Sequence, residues 1–265
     1  VKSGYGKDFQ QEIRMLKVIN EINLNNPCDL ISTCLAAHVP PKDSNISSQE
    51  YLMSIVKELF PLIKKDKLTK RMDVFIEKNA FNGGDSLEFL KHAKENGFDT
   101  TVHGNQFTSG GLKIAVDSGA LSVDHLEIIT EEEIKYLSNS KTSAVVLPGC
   151  SLGLGLSFAP ARKILDAGCQ LAIATDWNPG SAPMGDLLIQ ASVLASNQKL
   201  TNAEVFSALS FRAANVLNLN DRGTIASNKI ADFIGFNTLD YREILYSQGK
   251  MKPIFICKKG KVYKK

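Results

Sequence analysis

Three of the four histidines in this chain, His38, His103 and His125, follow or close a short apolar run. Glu77 closes Val74–Ile76 in the same way, and Asp176 closes Leu171–Thr175. Apolar strands carry ionisable residues chiefly where those residues serve an open rim, and barrels of parallel strands keep their chemistry there. One such histidine alone is more often a packing residue bonded to backbone. Independent packing histidines have no reason to choose one rim, so their joint placement points to a reaction centre. His103 and Asp176 offer an imidazole and a carboxylate, a donor pair suited to Zn²⁺ or Fe. Two ligands do not hold a catalytic metal, so others are required from elsewhere. His92 falls in the middle of a helical segment and reads as a surface or packing residue.

The elements that must position these groups alternate along the chain. Strands are predicted at Asp29–Ala37, Met72–Glu77, Thr100–His103, Ser122–Leu126, Ser143–Leu147 and Gln170–Thr175. Between them lie helices with readable starts. Asp8 precedes Phe9, Ile13, Leu16 and Ile22 on one helical face. Ser47-x-x-Glu50, Asp85-x-x-Glu88, Thr130-x-x-Glu133 and Thr201-x-x-Glu204 resemble capping boxes or their Asp variant. Gly97, Gly119 and Gly168 stand where helices should stop. With a strand ending near Ser3, this makes seven of the eight units of a (β/α)8 TIM-like barrel over residues 1–220. A doubly wound open sheet would need a glycine-rich phosphate loop, and Gly83-Gly84 and Gly110-Gly111 lack that context. After Pro183 two helices are predicted, Met184–Ser196 and Ala203–Leu217. Short β runs at Ala231–Phe236 and Pro253–Cys257 then suggest that residues 221–265 are a remnant of a small β-sandwich domain.

The opening Val1-Lys2-Ser3-Gly4-Tyr5-Gly6 reads as a strand running into a glycine-containing loop, so the chain is expected to begin inside an element, its first barrel strand missing. A net charge of +3, spread over scattered lysines, argues against a nucleic-acid face. Five widely spaced cysteines without a C-x-x-C argue against a disulfide framework and for a reducing cytoplasm. No stretch is long and apolar enough to span a membrane.

His103-Gly104-Asn105-Gln106, Ser122-Val123-Asp124-His125-Leu126-Glu127 and Ala174-Thr175-Asp176-Trp177-Asn178-Pro179-Gly180 resemble motifs of the amidohydrolase superfamily. Lys2-Ser3-Gly4-Tyr5-Gly6, Ala36-Ala37-His38-Val39-Pro40-Pro41, Asp73–Glu77 and Val146-Leu147-Pro148-Gly149 narrow the resemblance to the imidazolonepropionase family within it, over the whole chain. That resemblance implies hydrolysis of 4-imidazolone-5-propanoate to N-formimidoyl-L-glutamate in histidine degradation. It implies His103 and Asp176 as metal ligands, completed by a His-x-His pair on the missing strand. Tyr5, His38, Gln106, Asn178, Gly180 and Ser181 match positions that contact substrate or product, and His125 matches the histidine beside the carbonyl. A homodimer is also implied.

The chemistry agrees with that assignment. A metal lowers the pKa of water to about 7. Asp176 can accept the water's proton and pass it to the ring nitrogen, while His125 or His38 polarises the carbonyl. At Gln106 the family carries Glu or Gln, and an amide there can only hydrogen-bond; the chain departs from the family at Asn105, where Asp is usual. It departs again at Cys150–Gly155, where aromatic residues are usual. Glu77 matches a family Glu, and a structural hydrogen bond is as good a reading as a substrate contact. Two alternatives stand beside this reading: another amidohydrolase, such as a cyclic amidase or deaminase, or a chain inert by itself for want of its first strand.

Overall fold

The computed structural model describes residues 1–40 and 46–264, so Pro41 of the Ala-His-x-Pro-Pro motif lies outside the described residues. The chain divides into two compact units: Val1–Asp124 with Thr130–Thr142, and His125–Ile129 with Ser143–Lys265.

In the first unit the expected opening strand is present as a parallel bridge between Lys2 and Thr33. Ser3 N donates to Thr33 O at 3.0 Å and Thr33 N to Val1 O at 2.9 Å. Strands β1 (Cys34–Ala37), β2 (Arg71–Ile76), β3 (Asp99–Gly104) and β4 (Ser122–His125) follow in chain order. The pairs β1/β2 and β2/β3 are parallel. β1 starts five residues later than the sequence predicts, and before it side chains share in the hydrogen bonding. Asn23 Oδ1 accepts from Leu30 N, and Ser32 Oγ donates to Leu68 O. Behind the strands, Leu16, Leu52, Leu59, Phe60, Phe89 and Leu90 are fully buried.

Most helix starts are where the sequence puts them. Asp8 caps Phe9–Asn25, and Ser47 and Thr130 form reciprocal capping boxes with Glu50 and Glu133. At Asp85 the expectation is corrected. Asn82 caps the helix Gly83–Glu95 by accepting from Asp85 N, and Asp85 lies in the first turn, where its charge suits the helix dipole. The helical stretch from Ser48 to Lys65 contains a π turn at Ile55–Leu59 just before Pro61. A wider turn there relieves the clash that a proline ring makes with the preceding turn's carbonyl.

In the second unit β5 (Ser143–Val146) and β6 (Leu171–Ile173) are parallel neighbours. Val145, Leu147, Cys150, Ala172, Ala182 and Val216 make their core. Helix Leu187–Gln198 is capped by Asp186, and the third capping box joins Thr201 and Glu204. The single helix expected at Ala203–Leu217 is two, Asn202–Leu209 and Phe211–Val216, broken at Ser210 (φ −122°, ψ −101°). The tail forms an antiparallel sheet of β7 (Phe233–Gly235), β8 (Phe255–Lys258) and β9 (Lys261–Lys264). β9 is a strand the sequence did not suggest. Its turn residues Lys259 and Gly260 both have positive φ (51° and 81°), the geometry that lets a two-residue hairpin match strand twist. All five cysteines are free thiols. Among the described residues no helix is long and apolar enough to cross a membrane.

Candidate active site

His103 is the penultimate residue of β3, in register with Phe75 on β2. Its ring is buried, and Asp73 lies two residues before Phe75 on the same face of β2. His103 Nδ1 donates to Asp73 Oδ1 at 3.0 Å. The other oxygen of Asp73 accepts from Lys2 Nζ at 2.7 Å, and the same ammonium reaches Asp124 Oδ2 at 2.5 Å. Ser122 Oγ completes the group by donating to Asp124 Oδ1 at 2.8 Å. Burial opposes the charge on Lys2, but Asp124 and Asp73 outweigh it and raise its pKa. Burial likewise opposes ionisation of Asp73, and its contacts with His103 Nδ1 and the Lys2 ammonium overcome it to hold the carboxyl well below the usual range. For His103 burial wins over Asp73, so its pKa is lowered and the ring is neutral near pH 7. A neutral imidazole held by a carboxylate at Nδ1 presents Nε2 as its ligand atom, which suits a metal ion.

Beyond His103 the chain turns sharply. Gly104 packs so closely on Gly111 that an added Cβ would lie 2.9 Å from the Gly111 Cα. Asn105 has φ 57°, and its side chain accepts from Leu112 N at 2.8 Å and donates to Glu133 Oε1 at 2.9 Å. Gln106 is buried. Glu77, just past β2, accepts from the backbone N–H groups of Gln106 and Phe107, each at 2.9 Å, and from Thr108 Oγ1 at 2.5 Å. Glu77 therefore holds the Gln106 loop in place and opens onto a cleft of about 460 Å³ lined also by Lys78, Asn82 and Thr108.

Tyr5 and His38 come together at the opening bridge. Their rings meet edge to face with centroids 5.7 Å apart, and His38 Nδ1 donates to Gly4 O at 2.9 Å. The glycine loop is shaped from below by buried Glu12, which accepts from Gly4 N at 3.0 Å and Gly6 N at 2.6 Å. Gly4 has φ 113° and its position would put a Cβ 3.1 Å from Leu35, so only glycine serves there.

In the second unit His125 ends β4 and is buried, and both it and Leu126 have positive φ (88° and 70°). Two such residues in succession store strain, a feature that clusters at functional sites. His125 Nδ1 lies 3.7 Å from Glu127 Oε2, and Ser151 Oγ donates to Glu127 Oε1 at 2.8 Å. Burial alone would lower the pKa of His125. Hydrogen bonding to Cys150 and the charges of Glu127 and Asp176 outweigh it and push the value up to about 10, so the ring is cationic at neutral pH. Such a ring donates protons in hydrogen bonds and does not accept them.

Asp176, past the end of β6, also has positive φ, 50°. Asn178 is the hub of the turn that follows. Its Oδ1 accepts from Gly180 N and Ser181 N, both at 2.8 Å, and its Nδ2 donates to Asp176 O at 2.6 Å and Ser181 Oγ at 3.0 Å. The structure thus brings Asn178, Gly180 and Ser181 into one turn on Asp176, and Tyr5 onto His38. His92 is bonded to Glu95 on its helix, away from this chemistry.

Sequence reasoning missed Lys2, Asp73 and Asp124 as one network, and Glu12 as the support of the glycine loop. The available signal was Asp73, a carboxylate set between the apolar Met72 and Val74–Ile76. Such a residue needs a cation or several donors.

The model of the amidohydrolase family matches residues 35–263. The chain is 39% identical over 236 residues to an imidazolonepropionase of Christiangramia forsetii, covering 88% of this chain and 57% of that protein. It is 38% identical over 250 residues to one of Deinococcus radiodurans (94% and 61%), and 35% over 267 residues to one of Fusobacterium nucleatum (100% and 64%). The chain spans about three-fifths of the length of these curated relatives. Among solved structures it resembles an adenosine deaminase from Xanthomonas campestris with bound zinc, at TM-score 0.69 and 19% identity over 93% of this chain and 63% of that one. A 5-methylcytosine deaminase from Klebsiella pneumoniae gives TM-score 0.71 and 14% identity over 96% and 67%. These likenesses show the fold, and they bear out the expected α/β architecture with parallel strands. A match running from β1 into the last strand, on a fold shared with those structures, places the chain in the amidohydrolase family.

Proposed function

We propose that the protein containing this chain hydrolyses the cyclic amide C–N bond of 4-imidazolone-5-propanoate, giving N-formimidoyl-L-glutamate. The observation that carries this reading is the similarity to imidazolonepropionases along 88–100% of the chain. The deaminases share the fold at no more than 19% identity, so deamination has less behind it.

His103 and Asp176 are the metal ligands this chain supplies in that reading. The support for His103 is its neutral ring and its Asp73 partner. Zn and Fe both suit a set of imidazoles and one carboxylate. A bound metal supplies Lewis acidity, which makes water a nucleophile near neutral pH. Asp176 takes the proton of the attacking water and returns it to the ring nitrogen as the C–N bond breaks. His125, cationic through its surroundings, donates to the carbonyl oxygen as negative charge builds there. Tyr5, His38, Gln106, Asn178, Gly180 and Ser181 orient the small polar ring. Hydrogen bonds support fixed positions for several of these: Gln106 through Glu77, His38 through Gly4 O, and Gly180 and Ser181 through Asn178.

The test is turnover of the full-length protein on imidazolonepropanoate, hydantoin and aminopyrimidine substrates, with metal content measured in parallel. Imidazolonepropanoate is expected to be preferred, and His125→Ala to lose about 10²–10³ in kcat. Preference for an aminopyrimidine would favour deamination, and unchanged turnover in His125→Ala would remove that residue from the mechanism.

A further inference from the structure

Glu127 lies two residues past His125, where successive positive φ angles at His125 and Leu126 (88° and 70°) turn the chain beyond β4. Its side chain is 1% exposed. One carboxylate oxygen is anchored, because Ser151 Oγ donates to Oε1 at 2.8 Å. The other, Oε2, accepts no hydrogen bond from the described residues and lies 3.7 Å from His125 Nδ1. A buried carboxylate oxygen without a donor is costly, and such an exception calls for a reason. We propose that Glu127 is the positioning residue of His125. Anchored by Ser151, it keeps Nδ1 of the ring turned to a carboxylate and leaves Nε2 for the carbonyl oxygen of the substrate. The consequence for catalysis rests on the role proposed above for His125, and the contact between the two side chains does not.

A carboxylate that only tied the residues after β4 to Ser151 would need one oxygen, and a neutral amide would serve. The second oxygen, enclosed and directed at the imidazole, has no part in that tie. A carboxylate at Nδ1 fixes the tautomer and orientation of a histidine and stabilises its cation while the other nitrogen acts. At 3.7 Å the contact is an ion pair, longer than a hydrogen bond. Catalytic contacts of this kind commonly tighten only when substrate is bound. The strained backbone at His125 fits the same purpose, since such geometry persists where the surroundings over-determine it. All three residues, His125, Glu127 and Ser151, belong to one compact unit.

Glu127→Gln keeps an acceptor for Ser151 and removes the charge that faces the ring. In the full-length enzyme it is expected to lower kcat about 10–100-fold, with KM and metal content unchanged. Added to His125→Ala it should bring no further loss, because a residue that acts through another has no separate effect. Losses that multiply in the double variant would make Glu127 a structural tie and overturn the proposal. Heteronuclear NMR of histidine-labelled, zinc-loaded protein gives a readout that needs no turnover, with the His125 ring assigned by its absence in His125→Ala. Glu127→Gln should move that ring's signal and leave the other histidines in place, and an unmoved signal overturns the proposal. If Glu127→Gln does not fold, Ser151→Ala, which frees the carboxylate from its anchor, decides by the same signal. Normal turnover in His125→Ala would refute the role of His125 in the reaction, and the ring signal would still decide whether Glu127 holds it.

Discussion

Asp73 Oδ1 accepts from His103 Nδ1 across 3.0 Å, between two neighbouring parallel strands, and both side chains are buried. The bond fixes the tautomer and the tilt of the imidazole at once. It also makes the carboxylate depend on Lys2 for its remaining oxygen. Replacing Asp73 by asparagine keeps the volume and removes the charge. Loss of such a carboxylate behind a metal-bound histidine costs about 10–100-fold in metal affinity. Asp73→Asn in the full-length protein is therefore expected to lose metal to a chelator at concentrations that leave wild type loaded. Equal retention would mean that the bond does not support a ligand.

Glu77 holds three consecutive residues of the Gln106 loop with one carboxylate. Hydrogen bonds to a charged acceptor contribute about 1.5–3 kcal/mol each, and an amide in its place presents a donor to donors. Glu77→Gln should lower the unfolding free energy by about 2 kcal/mol in denaturant titrations. It should also speed hydrogen exchange at Gln106 and Phe107 while sparing β3. A rise in KM larger than any fall in kcat is the expected kinetic sign, since the loop carries Gln106, proposed above to contact substrate. Unchanged exchange at these two amides would refute the clamp.

Glu204 joins a capping box to an ion pair. It accepts from Thr201 N at 2.8 Å, and its carboxylate lies 2.8 Å from Arg162 Nη2. Arg162 above all, with the Thr201 amide, lowers its pKa to about 2 from the ordinary 4.5. A folded-state pKa below the unfolded one means stability that is present above pH 4.5 and is lost as pH falls toward 2. Solvent screens this partly exposed pair, so its contribution is about 1 kcal/mol or less. Glu204→Gln should accordingly be less stable than wild type at pH 7, with the gap closing on acidification. A gap that is the same at pH 3 and pH 7 would assign the effect to packing.

The strand ends carrying His103, His125 and Asp176 were legible because ionisable residues closing apolar runs break a local pattern. Helix starts at Asp8, Ser47, Thr130 and Thr201 were legible because caps are local chemistry. Asp85 was misjudged since Asn82, three residues earlier, offers the same side-chain acceptor and the helix begins at the glycine pair between them. Lys2 with Asp73 and Asp124 was not legible, because 71 and 122 residues separate the partners and only strand pairing brings them together. β9 was hidden by its lysines, which read as a solvated tail until hairpin geometry pairs them.

Gly153 belongs to the stretch that departs from the family's usual aromatic residues, and its neighbour shows why a side chain matters there. A Cβ at Gly153 would fall 1.8 Å from the backbone oxygen of Ser181 and 2.9 Å from its carbonyl carbon. These are backbone atoms, so no rotamer change can relieve the contact. Ser181 is tied to Asn178, and Asn178 to the backbone of Asp176, so the displacement passes along the turn. Gly153→Ala is expected to lower stability by about 1–3 kcal/mol, as overpacking does. Because the turn carries residues assigned to substrate, KM should rise more steeply in Gly153→Ala than in Gly155→Ala. At Gly155 φ is +66° and an added Cβ meets nothing within 4 Å, so backbone strain is present without the clash. Equal kinetic effects of the two substitutions would show that the Ser181 turn does not transmit the clash to substrate.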